Sequence, residues 1–255
     1  MYYVGIDIGS TASKTVIFKG DKIFSYFVIP TGWSSKETAQ SIKEKLKEQG
    51  IDVIREDVRV IATGYGRISV DYADKVVTEI TCHGKGGNYF AKGDCTIIDV
   101  GGQDTKVITV ENGFVTRFLM NDKCSAGTGK FIEIMANRLG VGLGEIFDLA
   151  KEGEPIGISS MCTVFAESEV ISHIGQGKER SDIAAGVVES VVSKVTLLAD
   201  RHGVQGKCIL TGGLSTSDYF RKELSKKLGQ DVYSDELGKY AGALGAALIA
   251  SNVKK

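Results

Sequence analysis

Short apolar runs of strand length fill the first third of the chain. Residues 3–9, 12–18 and 23–29 are rich in β-branched and aromatic residues and are separated by turn residues, which predicts a three-stranded meander. Over residues 34–49 the period changes: Ala39, Ile42 and Leu46 fall on one helical face with Lys and Glu opposite, and Gly50 stands where a helix would stop. Val58–Thr63 reads as a buried strand ended by Gly64-Tyr65-Gly66. Arg67–Ala73 then reads as a short helix, Val76–Ile80 as a strand and His83–Ala91 as a helix, so the first half is βββαβαβα.

The second half opens in the same way. Thr96–Val100, Lys106–Val110 and Phe114–Met120 form another meander, with Glu111-Asn112-Gly113 as a hairpin turn. Helices follow over Lys130–Leu139, Ile146–Lys151 and Val164–Gly175, with a strand expected over Ile156–Met161. Ser181–His202 is the clearest helix, because Ala184, Val187, Val188, Val191, Val192, Val195 and Leu198 keep 3.6-residue spacing. Valine is a mediocre helix former, but burying one continuous stripe outweighs that. Cys208–Leu210 is a strand ending in Thr211-Gly212-Gly213-Leu214, and Tyr219–Leu228, Asp231–Tyr233 and Tyr240–Ala250 read as helix, strand and closing helix.

The two meanders are a repeat. GIDIGSTASK at Gly5–Lys14 slides without a gap onto IDVGGQDTK at Ile98–Lys106, setting Asp7 on Asp99, Gly9 on Gly101, Ser13 on Thr105 and Lys14 on Lys106. The chain is therefore α/β and built of two related halves. The expected boundary is the turn Lys92-Gly93-Asp94, giving halves 1–93 and 94–238, with the helix within 239–255 returning to the first.

Composition narrows the class. The sequence has 255 residues, 42% hydrophobic and 25% charged, as in a globular protein with a sizeable core. The formal net charge is −1 with Lys and Arg dispersed, so neither nucleic acid nor an anionic membrane is an expected partner. No apolar run reaches membrane-spanning length and no leader pattern opens the chain, so a cytoplasmic location is expected. Five cysteines without a CxxC pair point to thiols or metal ligands rather than disulfides or a zinc finger.

The hairpins carry the first candidate chemistry. Turns with little side chain expose backbone N–H groups that cradle phosphate, and Ser10, Thr11 and Ser13 add hydroxyls. Lys14 is placed either to reach a phosphate or to point outward, and Lys106 is open to the same choice. Asp7 and Asp99 end their strands just before the turns. Two carboxylates aimed at polyphosphate need a cation between them, and Mg²⁺ held through its waters suits them. Gln103 offers an amide to orient an attacking water. Thr211-Gly212-Gly213 can admit adenosine against the backbone.

GIDIGSTASKT, IDVGGQDTK and LTGGL together resemble the phosphate-1, phosphate-2 and adenosine motifs of the actin, hexokinase and heat-shock ATPase superfamily. The resemblance implies two ribonuclease-H-like halves, each a mixed sheet with flanking helices, and ATP or ADP in the cleft between them. On that implication the nucleotide set is Gly9, Ser10, Thr11, Ala12, Ser13, Lys14, Gly101, Gly102, Gln103, Asp104, Gly127, Thr128, Gly129, Gly212, Gly213 and Leu214, with Asp7, Asp99 and Gln103 catalytic.

Cys124 lies at the entry to the Lys130–Leu139 helix and Cys162 at the start of Val164–Gly175. Thiols at helix N-termini favour the thiolate, which suits an iron–sulfur cluster. A cubane needs four thiolates, and a two-fold dimer would bring two copies of each cysteine together. From spacing alone, buried inert thiols are the favoured account of both residues. CSAGTGKF, SSMCTVFAESEV and EITCHGKG at Glu79–Gly86 resemble the ATP-dependent activators of 2-hydroxyacyl-CoA dehydratases, a family that also holds the ATPase subunits of benzoyl-CoA reductase. Membership implies a homodimer with one 4Fe–4S cluster ligated by Cys124 and Cys162 of each chain. It further implies ATP-driven reorientation of the halves and electron transfer from a ferredoxin or flavodoxin to a dehydratase-like component. The rivals are a small-molecule kinase of the same superfamily, with Asp104 as its base, and a non-catalytic actin-like assembly module. Cys82 and His83 match the family pattern and are expected to be structural or to lie near the path between the halves.

Overall fold

In the computed structural model, residues 1–159 and 162–253 are described. The chain divides into two compact units, one made of residues 1–95, 109–117 and 239–255, the other of residues 96–108 and 118–238.

In the first unit β1 (Tyr2–Ile8), β2 (Ala12–Lys19) and β3 (Lys22–Pro30) form the expected meander, and β4 (Val58–Thr63) and β5 (Lys75–Val76) extend it in the order β3-β2-β1-β4-β5. β1 runs antiparallel to β2 with Asp7 opposite Lys14, and parallel to β4 with Asp7 opposite Thr63. Val4, Ile6, Ile8, Val58 and Val60 form a core with Ala39, Ile42 and Leu46 of α1 (Ser35–Glu48), whose N-terminus Ser34 caps by accepting from the Glu37 N–H. α2 (Glu79–Ala91) and α8 (Ala241–Ala250) also belong to this unit. α8 has the sequence AGALGAALIA, apolar around its circumference, and is buried on nearly all sides. Its approach is possible only because of glycine. A Cβ on Gly5 of β1 would lie 1.9 Å from the Ala243 carbonyl oxygen, and one on Gly245 would lie 1.8 Å from that of Cys82.

The second sheet holds β6 (Cys95–Val100), β7 (Thr105–Glu111), β8 (Phe114–Asn121), β9 (Lys207–Gly212) and β10 (Val232–Tyr233) in the order β10-β9-β6-β7-β8. This is the first sheet's path repeated, with β6 in the place of β1 and β9 in the place of β4. The second unit's core is built from β6, β7 and β9 against α3 (Gly129–Arg138), α4 (Glu145–Glu152), α5 (Thr163–Gly175), α6 (Arg180–His202) and α7 (Asp218–Leu228). The valine stripe of α6 is buried as its spacing predicts.

Three expectations are corrected. The strand expected at Val76–Ile80 is only Lys75–Val76, and α2 starts at Glu79 because the Thr78 side chain accepts the Thr81 N–H and caps a helix there. Arg67–Ala73 reduces to one 3₁₀ turn, Arg67–Ser69. Residues 156–159 form no strand, and Ile156 and Ile158 pack on the second unit's core as irregular chain. The expected strand's remaining residues, Ser160 and Met161, lie outside the described residues. Among the described residues no helix is long and apolar enough to cross a membrane.

Candidate functional site

The first turn runs from Gly9 to Thr11, between β1 and β2. Ser10 and Thr11 are exposed at its tip. Thr31 holds the turn from behind: its Oγ1 donates to the Gly9 carbonyl at 2.7 Å and its N–H to that of Thr11 at 3.1 Å. Ser13 is fully buried and shares a 2.8 Å hydrogen bond with the Thr31 hydroxyl, so its side chain braces the turn from inside rather than facing outward. The Lys14 Nζ lies 3.6 Å from where a Gly9 Cβ would sit, which puts the ammonium over the turn.

Asp7 is buried at the end of β1. Its Oδ2 lies 3.8 Å from Nε2 of the buried His83, which itself lies 3.7 Å from Oε1 of Glu79. Two glycines wall the carboxylate. A Cβ on Gly64, whose φ is +85°, would fall 2.3 Å from Oδ1, and one on Gly242 would fall 2.5 Å from Oδ2. Beside it, burial pushes the Cys82 thiol up to about 12, so Cys82 is a neutral core group at ordinary pH.

The second turn, Gly101–Asp104, is closed by the Gly101 N–H donating to the Asp104 carbonyl at 2.9 Å and carries Gln103 exposed at its tip. Asp99, 1% exposed, accepts from Thr211 Oγ1 of β9 at 2.7 Å and sits 3.5 Å from the Lys106 ammonium. Lys106 is itself buried and donates to Asp104 at 2.7 Å. Lys106 is therefore an internal counter-ion, a role that the motif left open. Gly212 has φ +85°, and a Cβ there would lie 2.2 Å from the Val100 carbonyl oxygen, so glycine is required where β9 passes the end of β6. Gly213 is exposed, whereas Leu214 is buried in the core.

This second turn is bonded to the segment that carries Cys124. The Gly129 and Lys130 N–H groups, at the start of α3, donate to the Gly101 and Gly102 carbonyls at 2.9 and 2.8 Å. Thr105 Oγ1 donates to the Gly127 carbonyl at 2.7 Å. Thr128 is buried and its hydroxyl turns back to the Ser125 carbonyl at 2.7 Å. Helix α3 thus spends its first N–H groups on the turn. Its N-cap is Thr128, not Cys124, which lies four residues earlier in the loop and corrects the expectation that this thiol begins the helix. Cys162 does occupy the N-cap of α5.

Both thiols are half-buried, whereas Cys82, Cys95 and Cys208 are buried. Ser125, next to Cys124, and Thr163, next to Cys162, share a 2.7 Å hydrogen bond that joins the two segments. Among the described residues no group of three or more His, Cys, Asp or Glu could hold a metal ion.

Comparison with known proteins finds relatives along nearly the whole chain. Residues 4–250 match the model of the BadF/BadG/BcrA/BcrD ATPase family. The chain is 45% identical over 254 residues to the (R)-2-hydroxyglutaryl-CoA dehydratase activating ATPase of Acidaminococcus fermentans, covering 98% of this chain and 97% of that protein. It superposes with a TM-score of 0.90 on the activator of the 2-hydroxyisocaproyl-CoA dehydratase from Clostridium difficile with bound ADPNP, at 38% identity and over 100% of this chain and 99% of that one. A ROK family glucokinase from Streptomyces griseus, 16% identical with a TM-score of 0.63 over 99% of this chain and 100% of that one, shares the fold alone.

Proposed function

The chain belongs to the BadF/BadG/BcrA/BcrD ATPase family, and on that premise we propose that it is a reductive activator. It hydrolyses ATP, takes one electron from a reduced ferredoxin or flavodoxin, and delivers it at low potential to a 2-hydroxyacyl-CoA dehydratase-like component in the cytoplasm. Its working form is a homodimer holding one 4Fe–4S cluster through Cys124 and Cys162 of each chain. When bound, the cluster supplies the one-electron store.

The residues have these roles. Asp7 and Asp99 hold Mg²⁺ through its waters. Glycine at 64 and 242 spares the Asp7 carboxylate the clash that a Cβ at either position would make. Ser10, Thr11, Lys14, Gly101 and Gly102 bind phosphate, Gln103 orients the attacking water, and Gly212 and Gly213 admit adenosine. Ser13, Thr128 and Leu214 shape these surfaces from within. Val164, Phe165, Ile171 and Ile174 are exposed on α5, the helix that Cys162 caps, and this apolar face supports an interface with a second copy.

The observation that carries this reading is the bonding of the Cys124 segment to the second turn. A change in what the turn's backbone holds is felt by Gly127, Gly129 and Lys130, a few residues from the thiol. ATP can act through this connection only by binding one arrangement more tightly than another. A kinase reading is disfavoured because Asp104, its candidate base, is held by the Lys106 ammonium.

Anaerobic purification tests the proposal. Broad visible iron–sulfur absorption is expected, lost in both Cys124→Ser and Cys162→Ser, with the protein eluting as a dimer. A colourless protein that hydrolyses ATP normally would sink it.

A further inference from the structure

The bond between Ser125 and Thr163 lies off the nucleotide turns, yet it joins the two segments that carry Cys124 and Cys162. Upstream of it, the carbonyls of Gly101 and Gly102 hold the start of α3, Thr105 holds Gly127, and the Thr128 hydroxyl holds the Ser125 carbonyl, each at 2.7–2.9 Å. The Asn121 amide donates to the Cys124 and Ala126 carbonyls at 3.0 and 3.1 Å, so the loop around Cys124 is fastened on both sides. Downstream, Thr163 is the first residue of α5 and Cys162 its N-cap, one rigid peptide away. Cys162 makes no side-chain cap bond to the helix, so its position follows that of Thr163. A second side-chain link, Arg138 of α3 to Glu167 of α5, has its arginine half in solvent and at the end of α3 remote from Cys124, although Glu167 itself lies near Cys162 in α5; exposed pairs of this kind contribute little.

We propose that Ser125 and Thr163 are positioning residues: their hydrogen bond transmits the state of the second nucleotide turn from the Cys124 loop to Cys162, so that both thiols respond together. The inference rests on the reading above for the identity of the turn as a nucleotide site, but not on the cluster. Without the bond, the turn still reaches Cys124 through Thr105 and the start of α3, while Cys162 is left to the packing of α5 through Ala166 and Val170. The two thiols then uncouple. Two hydroxyls suit a transmitting joint: each can donate or accept, so the bond can reform after a small shift rather than simply break.

The test uses the metal-free, reduced full chain and limiting N-ethylmaleimide, with alkylation followed at each cysteine by peptide mass spectrometry in the presence and absence of ADPNP and Mg²⁺. In the wild type, nucleotide is expected to change the labelling rates of Cys124 and Cys162 together. In Thr163→Val and in Ser125→Ala the response at Cys162 is expected to fall by about fivefold, the weight of one ordinary hydrogen bond, while that at Cys124 persists. Thr163→Ser restores the response, which a purely steric role for the methyl group would not allow. Retention of the full Cys162 response in both deletion variants overturns the proposal, as does a wild type in which nucleotide binds and neither thiol responds. The persisting Cys124 response serves as the control for folding and nucleotide binding. Iron content of anaerobically purified wild type is measured separately. Coupled labelling without bound iron would leave the joint standing and remove the cluster, whereas bound iron with uncoupled labelling would do the reverse.

Discussion

The two glycine-containing turns, Gly9–Thr11 and Gly101–Asp104, share a topology and differ in nearly everything they touch. Ser13 and Thr105 occupy equivalent positions, yet Ser13 bonds Thr31 and so braces its turn against its own sheet, whereas Thr105 bonds Gly127 and so ties its turn to the Cys124 loop. Lys14 lies over its turn, whereas Lys106 is buried between Asp99 and Asp104. Asp7 has His83 and two glycine walls, whereas Asp99 has Thr211 and a lysine. The repeat extends further than the hairpins. β4 and β9 hold matching places in the two sheets, and Thr63-Gly64 and Thr211-Gly212 end them alike, both glycines at φ +85°. One turn is braced against its own sheet and the other is bonded to the loop that carries Cys124. Duplication supplied two equal scaffolds, and a handful of side chains gave them unequal tasks.

The lysines offer the strongest way to break this contrast. Lys106→Met leaves buried carboxylates without their cation and is expected to cost roughly 3–5 kcal/mol in urea unfolding. Lys14→Met should cost less than about 1 kcal/mol of stability and instead weaken nucleotide binding about tenfold by calorimetry. Equal stability losses would erase the distinction. Next come the strand-end glycines. Gly64→Ala and Gly212→Ala each combine left-handed strain with a clash, for an expected loss of roughly 2–4 kcal/mol, while Gly213→Ala, with open space around its Cβ, should stay within about 0.5 kcal/mol.

The thiols differ between the units as well. Cys82 has its folded value raised by burial from 9.0 to about 12. The unfolded chain therefore releases this proton first, and the stability Cys82 contributes is intact below pH 9 and declines between about pH 9 and 12, by roughly 1 kcal/mol at pH 10. Cys82→Ala should flatten that part of the stability–pH curve, and a slope unchanged by the substitution would place its origin elsewhere. The smallest effect is the most discriminating. Ser13→Ala and Thr105→Val should each cost about 1 kcal/mol of stability, but only Thr105→Val should alter how Cys124 reacts with maleimide when nucleotide is added.

Much of this was legible in the chain itself. The paired hairpins, both meanders and the valine stripe of α6 follow from periodicity and local turn chemistry, which act over a few residues. What escaped was decided at long range. Nothing in DTK says that its lysine is buried while that of ASK lies over a turn, because the difference depends on the contacts each side chain makes after the sheets have formed. The start of α2 was missed because EITCH looks like a strand until Thr78 is seen capping it. The GTG that follows Cys124 reads as part of the nucleotide set, Thr128 included, whereas in the structure that threonine takes the N-cap and leaves the thiol outside the helix. Thr63-Gly64 was legible in principle, since a TG pair closes a buried run in each half.

The seat of α8 has a consequence for synthesis. Its glycine and alanine residues pack within van der Waals reach of β1 and α2, and the first unit is complete only when residues 239–255 arrive. A ribosome making the chain from its first residue therefore lays down β1, α1 and α2 early and releases the helix that covers them only after residues 96–238 have emerged. Those later residues, apart from 109–117, form the other unit and have every strand and helix of its core in hand before α8 exists. The part translated first is thus the part finished last. During that interval the surface of β1 awaiting Ala243 and Ala247 is bare, and this is where a nascent-chain chaperone would have its longest opportunity.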